Sequence, residues 1–173
     1  MRIVTYGAAC SLDGFIARGD GAVDWLHWSE DVQRLTSAYW EGVDTVLMGR
    51  KTYDVARAIG TGAYAGVDNY VFTRTLSESP EPAIRLVRED AAGFVGRLKH
   101  QPGRGICVMG GGEFARTLFE ADLIDEVGAN IHPVLLGRGI PLFHRLPREV
   151  HLDLVQLETI AGGCVYVLYK VRR

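Results

Sequence analysis

Two stretches of the chain join an apolar, β-leaning run to glycine and then to a helix-forming segment. Val46-Leu47-Met48 leads into Gly49-Arg50-Lys51-Thr52, and Ile106-Cys107-Val108-Met109 leads into Gly110-Gly111-Gly112. A buried strand that ends at glycine and opens a helix leaves backbone N–H groups free at the positive end of the helix dipole, which suits an anion. At the first junction Thr52 adds a hydroxyl, and Arg50 and Lys51 add charge. At the second, the glycines permit close backbone approach by a ligand. Two such cradles suit a diphosphate-bridged ligand better than a single phosphate. Neither matches the Gly-x-Gly-x-x-Gly fingerprint or the Gly-x-x-x-x-Gly-Lys-Ser/Thr phosphate loop. Arg50 and the Arg74 of Thr73-Arg74 could together face a 2′-phosphate, the group that separates NADP from NAD. The plain alternatives are helix-entry turns and solvated surface charge.

Acid–base candidates are few. Asp13 lies in the segment Ser11 to Trp28, and Glu30 and Asp31 follow it. A carboxylate in an apolar cleft beside Trp25 or Trp28 would have a raised pKa and could relay a proton. Helix capping accounts equally well for Glu30 and Asp31. The five histidines include no His-x-x-x-His pair, so no metal site is expected. Ser11 has no neighbouring histidine, which excludes a hydrolase triad on sequence grounds.

The elements that must hold these residues can be read from spacing. Arg2 to Cys10 reads as an inner strand. Ser11 to Trp28 reads as a long functional loop. Ser29 caps a helix that ends at Gly42, with Glu30 and Asp31 in its first turn. Strands are expected at Thr45–Met48, Asn69–Thr73, Ala83–Val87, Gly105–Met109 and Ile124–Ile131. Helices are expected after Gly49, after Asp90 and over Glu113–Ala121. Val150–Ile160 and Cys164–Val171 close the chain as a hairpin around Ala161-Gly162-Gly163. Alternating strands and helices with a closing hairpin predict an α/β fold with a mixed sheet.

Composition sets the remaining bounds. The 173 residues suit one domain spanning 1–173, and 47% apolar with 23% charged residues is ordinary for a soluble fold. A net charge of −2 leaves no basic face for nucleic acid or an anionic membrane. No run approaches the ~18 apolar residues of a membrane span. Cys10, Cys107 and Cys164 are widely separated and are expected to be buried thiols in a reducing cytoplasm.

Four motifs carry a family resemblance. Met48-Gly49-Arg50-Lys51-Thr52-Tyr53 and Met109-Gly110-Gly111-Gly112 resemble the two cofactor motifs of the dihydrofolate reductase fold. Ser11-Leu12-Asp13-Gly14-Phe15-Ile16-Ala17 and the stretch Asn130 to Phe143 look more like the reductase domain of the riboflavin-pathway deaminase–reductase. In order, the four cover nearly the whole chain.

The resemblance implies a central eight-stranded, mainly parallel sheet with helices on both faces, a C-terminal antiparallel hairpin, and NADPH as cofactor. It implies nicotinamide against Ala8 and Ala9, with Ile16 of a mobile loop closing over it. Gly49, Arg50, Lys51 and Thr52 would hold phosphates on one side, with Thr73 and Arg74 near the adenosine phosphate. Gly110, Gly111, Gly112, Glu113 and Phe114 would take the diphosphate from the other.

This chain departs from the pattern at several points. Asp24-Trp25 stands where dihydrofolate reductases carry Pro-Trp, Glu30 or Asp31 is left to fill their acidic role, and Met109 replaces a glutamate of the riboflavin-pathway domain. The resemblance therefore implies hydride transfer from NADPH to a pyrimidine-, ribosylamine- or pterin-like small molecule, most like 5-amino-6-(5-phosphoribosylamino)uracil reductase. Pterin reduction of the dihydrofolate type and a non-catalytic nucleotide-binding module are the alternatives. A homodimer is also implied, with Ile131–Phe143 and the closing hairpin as candidate interface.

Overall fold

Apolar runs rich in valine and isoleucine alternate with amphipathic helices, and the strands collect into one twisted sheet. The computed structural model describes residues 1–60, 62–79 and 81–173. In chain order the elements are β1 (Val4–Ser11), β2 (Phe15–Ala17), α1 (Glu30–Glu41), β3 (Val43–Gly49), α2 (Arg50–Ala58), β4 (Asp68–Phe72) and β5 (Ile84–Val87). They continue with α3 (Ala91–Lys99), β6 (Gly105–Gly110), α4 (Gly112–Glu120), β7 (Glu126–His132), β8 (Ile140–Pro141), β9 (Leu152–Ile160) and β10 (Cys164–Val171). The main sheet has eight strands in the order β5-β4-β3-β6-β1-β7-β10-β9. Every pairing from β5 to β7 is parallel, and β10 runs antiparallel to both of its neighbours.

Helices cover both faces. On one face α3 and α4 pack Val95, Leu98, Ala115 and Leu118 against Val4 and Tyr6 of β1 and Ile106 of β6. On the other, α2 sets Tyr53 against Val46, Met48 and Val71, with Tyr39 and Trp40 of α1 packed beside them. Val32 and Leu35 of α1 reach the far side of that face, against Cys164 and Tyr166 of β10. Side chains alternate along a strand. With Val4, Tyr6 and Cys10 facing α3 and α4, residues Thr5, Gly7, Ala9 and Ser11 therefore face α1. All three cysteines are buried and free, as their surroundings predict.

Several boundaries differ from those read in sequence, for stated reasons. β1 begins at Val4 because Arg2 turns its side chain inward, donating to Asp44, Thr45 and the Arg104 carbonyl. β7 begins at Glu126 because Asp125 is drawn into a polar knot. The long loop is partly ordered: β2 pairs antiparallel with the two-residue β8. That pairing is too short, and its partner too distant in sequence, to leave a local periodic signal. The closing hairpin turns through Ala161–Gly163, where Gly162 and Gly163 adopt φ of 79° and 77°. No helix among the described residues is long and apolar enough to cross a membrane.

The Asp125 knot ties the first strand to the end of the chain. Its Oδ2 accepts from the Val4 N–H at 2.8 Å and from Lys99 Nζ at 2.5 Å, while Oδ1 accepts from Arg173 at 2.6 Å. Lys99 is 4% exposed and also donates to the Leu123 carbonyl at 3.0 Å. Removing one partner of a buried pair strands the other charge. Lys99→Met is therefore expected to cost about 3 kcal/mol, read as a lower midpoint in urea denaturation with an unchanged slope.

Candidate functional site

The two glycine junctions lie side by side. β3 and β6 are paired with Met48 opposite Gly110, so α2 and α4 start next to each other at the carboxyl ends of adjacent strands. They then descend on opposite faces of the sheet. A β-carbon placed on Gly49 would sit 3.5 Å from the Gly111 nitrogen, and one on Gly110 or Gly111 would sit 3.3 Å from Thr52 Oγ1. Gly110 adopts φ of 129°, a conformation that L side chains rarely take. The carboxyl ends of parallel strands are where open α/β sheets bind ligands.

Capping distinguishes these two helices from the other two. Ser29 accepts from the Val32 N–H at the start of α1, and Asp90 accepts from the Gly93 N–H at the start of α3. The caps of α2 and α4 are Gly49 and Gly111, and neither helix has a side-chain cap. Their first N–H groups are left for a ligand. The positive charge is unevenly available. Arg50 is paired with Asp54 four residues along α2, whereas Lys51 and Arg74 are exposed and form no ion pair among the described residues. Thr73 is buried, and its hydroxyl accepts from the N–H groups of Thr75 and Leu76, so it shapes the turn that presents Arg74. Phe114 packs on Phe72 with ring centroids 4.5 Å apart, and Glu113 is exposed in the first turn of α4.

Beside the junctions the centre of the sheet is open. Along β1 the middle residues Gly7, Ala8 and Ala9 are only partly buried between buried ends. Along β7, Gly128 to Ile131 are likewise partly buried between Val127 and His132. Gly7 lies opposite Gly128 and Ala9 opposite Asn130. The result is a trough on the α1 face with a floor of glycine and alanine. A β-carbon on Gly7 would lie 2.0 Å from the Gly128 carbonyl oxygen, so glycine is required there.

One end of the trough holds a polar cluster that the sequence reading missed. Thr5 Oγ1 donates to Glu126 Oε2 at 3.1 Å, and the Tyr39 hydroxyl is bonded to Thr5 and Cys107. Burial drives the Tyr39 hydroxyl well above its ordinary range and pushes the Cys107 thiol up to about 11. The local signal for Glu126 is a carboxylate at the first residue of β7.

The other end is built around His132, which is 2% exposed. Its Nδ1 accepts from the His27 N–H at 3.2 Å and lies 3.4 Å from Cys164 Sγ. The ring of Trp25 meets the imidazole edge-on at 5.4 Å between centroids. Burial, with His27 beside it, lowers the His132 pKa.

Two of the three expected acids, Asp13 and Asp31, have backbone partners, and Glu30 is exposed. Asp13 is a loop clasp: Ser11 Oγ donates to it at 2.6 Å, and the N–H groups of Leu136 and Gly137 donate at 3.1 and 2.7 Å. The Ser11 hydrogen bond, aided by the two backbone donors, holds its carboxyl below the usual range, the opposite of the raised pKa expected in an apolar cleft. Asp31 accepts from the Ala161 N–H at 3.2 Å, and Glu30 is exposed. The lid is likewise more fixed than a mobile loop implies. Leu12 N–H donates to Val134 O and Leu142 N–H to Gly14 O, both at 2.9 Å, and Ile16 packs on the α3–α4 core.

Two shallow concavities of about 330 and 450 Å³ open at the opposite, amino ends of the strands, near Trp40 and Tyr64 and near Arg2 and Asp44. The Arg2, Asp44, Thr45 and Arg104 groups there bond one another, leaving little polar capacity for a ligand.

The depressed His132 pKa has a consequence for stability. Between the folded value and the ordinary 6.5, the unfolded chain binds the proton and the folded chain does not. This contribution is present above pH 6.5 and is lost as pH falls toward the folded value. Thermal melts from pH 7 to pH 5 are expected to show wild type losing more of its melting temperature than His132→Gln.

Comparison with known proteins agrees with this geometry. Residues 2–166 match the RibD C-terminal domain family. The uncharacterized protein YwjB of Bacillus subtilis is 38% identical over 149 residues, which cover 84% of this chain and 85% of that protein. A putative riboflavin biosynthesis protein from Shewanella sp. PV-4 superposes with a TM-score of 0.87 at 28% identity, covering 99% of both chains. The deaminase/5-amino-6-(5-phosphoribosylamino)uracil reductase of Thermotoga maritima superposes at 0.75 with 16% identity, over 99% of this chain and 57% of that one. Dihydrofolate reductase from Enterococcus faecalis, complexed with NADP(H), superposes at 0.71 with 13% identity, over 99% and 97%. The fold is thus that of dihydrofolate reductase, and the chain belongs to the RibD C-terminal domain family.

Proposed function

We propose that this protein is an NADPH-dependent reductase acting on a small pyrimidine-like substrate, most like 5-amino-6-(5-phosphoribosylamino)uracil reductase. One observation carries the reading: two uncapped helix starts, at Gly49 and Gly111, sit side by side next to a trough floored by Gly7, Ala9 and Gly128. The first pair of features fits a diphosphate, and the trough fits a flat ring beside it. Membership of the RibD C-terminal domain family and the fold shared with a reductase complexed with NADP(H) support the same reading.

The bound dinucleotide supplies the hydride. Everything else falls to this chain's own residues. The free N–H groups of α2 and α4 take the diphosphate, with Thr52 between them. Lys51 and Arg74 are the uncommitted cations at that edge and draw the phosphorylated ribose. Ala9 presents a small side chain to the nicotinamide on the trough face, whereas Ala8 and Ile16 pack on the α3–α4 side of the sheet and do not line the trough. Holding two flat rings in register is itself catalytic, because it makes a bimolecular step effectively intramolecular. The clasped loop from Ser11 excludes water from the site.

A homodimer is the proposed assembly. The outer strand β9 exposes Leu152, Leu154, Val155 and Leu157 along an unpaired sheet edge, a feature that invites pairing with a second copy.

Four measurements test these proposals. NADPH is expected to bind at least ~10-fold tighter than NADH in a fluorescence titration. Arg74→Ala should erode that preference more than Arg50→Ala does, because Arg50 is already neutralised by Asp54; equal affinity for the two cofactors would remove the 2′-phosphate assignment. Gly111→Val should abolish binding of both while circular dichroism stays unchanged, since its side chain would fill the space between Thr52 and the second helix start. Loss of nicotinamide absorbance with the riboflavin-pathway pyrimidine, and not with dihydrofolate, identifies the substrate class; tight NADPH binding with neither turned over favours the non-catalytic module. Sedimentation should give a species of twice the 19.0 kDa chain mass, reduced to monomer by Leu154→Asp with Leu157→Asp.

A further inference from the structure

Beside His132, at one end of the trough, two buried polar atoms have no hydrogen-bond partner among the described residues, one on Trp25 and one on Asn130. Trp25 leaves its indole Nε1–H unpaired, and Asn130 leaves its side-chain Oδ1 unpaired while its Nδ2 faces His132 Nε2 at 3.4 Å. Native structures rarely tolerate such groups, and each needs an explanation. Both belong to the same place. Asn130 stands on the α1 face of β7 between Ala9 of β1 and Tyr166 of β10. Trp25 and Asn130 both lie against the imidazole of His132.

His132 decides which way the Asn130 amide faces. The His27 backbone N–H can only donate, so the Nδ1 it meets at 3.2 Å carries no proton. Burial keeps the ring neutral, and its single proton therefore sits on Nε2. With that proton on Nε2, the Nδ2 placed 3.4 Å away would set N–H against N–H, so the amide is turned over and its oxygen accepts from Nε2. The amide NH2 is left as the unpaired group. The trough thus offers two N–H donors, from Asn130 and Trp25, and His132 is the positioning residue that orients the first.

We infer that Asn130 and Trp25 determine specificity in the trough, receiving a ring carbonyl oxygen of a planar lactam-type heterocycle. The inference rests on the reductase reading of this site and names the edge of the substrate that the site reads. A ring with a carbonyl at that position satisfies both donors. A ring with an exocyclic amino group there sets N–H against N–H and is refused. Such polar rejection discriminates far more sharply than a change of one methyl in an apolar pocket.

The test compares uracil with 2,4-diaminopyrimidine as probes, titrated into the NADPH-loaded protein and followed by ligand-observed NMR. Wild type should bind uracil at least about 10-fold more tightly. Trp25→Phe keeps the ring and removes the donor, and should weaken uracil by about 3- to 10-fold. Asn130→Asp keeps the shape and the bond from His132 but replaces the donor with an acceptor, and should invert the preference toward 2,4-diaminopyrimidine. An unchanged ratio of the two affinities in either variant overturns the inference, as does wild type that binds neither ring while holding NADPH. Failure of NADPH itself to bind is a separate result, which removes the reductase reading; the same titration without cofactor still decides whether the pair reads a carbonyl.

Discussion

The close approach of β1 and β7 governs the rest of this structure. At Gly7 the two strands come so near that any β-carbon would strike the Gly128 carbonyl, so at this pair the sheet carries no side chain on one face. A helix packed over bare backbone cannot fill the space beneath it. The middle of the two innermost strands, ordinarily the driest part of an α/β fold, therefore stays open. The candidate site is a consequence of that steric rule, and α1 forms its roof only because Val32 and Leu35 find their own packing further out, against Cys164 and Tyr166.

The fold counters this opening by concentrating its order around the rim. The Asp125 knot locks the amino end of β1 to α3 and the chain terminus. At the carboxyl end, Asp13 holds the loop to Leu136 and Gly137, and His132 gathers Trp25, His27, Asn130 and Cys164. Buried polar groups of this kind are stabilising only when their partners are complete. They are complete at the Asp125 and Asp13 ends and incomplete at Trp25 and Asn130, inside the trough itself. The distribution of satisfied and unsatisfied groups marks where structure ends and recognition begins.

The uncapped helices follow the same logic. Ser29 and Asp90 close the starts of α1 and α3 with side-chain caps. Gly49 and Gly111 leave α2 and α4 open where β3 meets β6. Glycine at these caps does two jobs: it adds no side chain to compete for the N–H groups, and it lets the two junctions approach within van der Waals contact. A lone glycine turn would be ordinary. Two of them on neighbouring strands, with helices leaving on opposite faces, form a bracket.

Much of this was legible from residue order. The strand-to-glycine-to-helix junctions, the Ser29 and Asp90 caps, the alternation of strands and helices and the closing hairpin are all local patterns, set by propensity and spacing within a few residues. What the sequence could not show was which distant segments meet. The β2–β8 pair joins two fragments too short to signal themselves, and it turned an expected mobile lid into a clasped one. Asp13 read as a candidate acid because nothing local revealed the N–H groups of Leu136 and Gly137 that hold it. Glu126, Asn130 and Trp25 were passed over because their meaning lies in what surrounds them across three strands and a loop. Local sequence determines the elements and each of the two glycine junctions, since each rests on neighbouring backbone. The tertiary structure alone decides the trough and the unpaired polar atoms beside it, because burial and hydrogen-bond satisfaction are properties of the whole chain brought together.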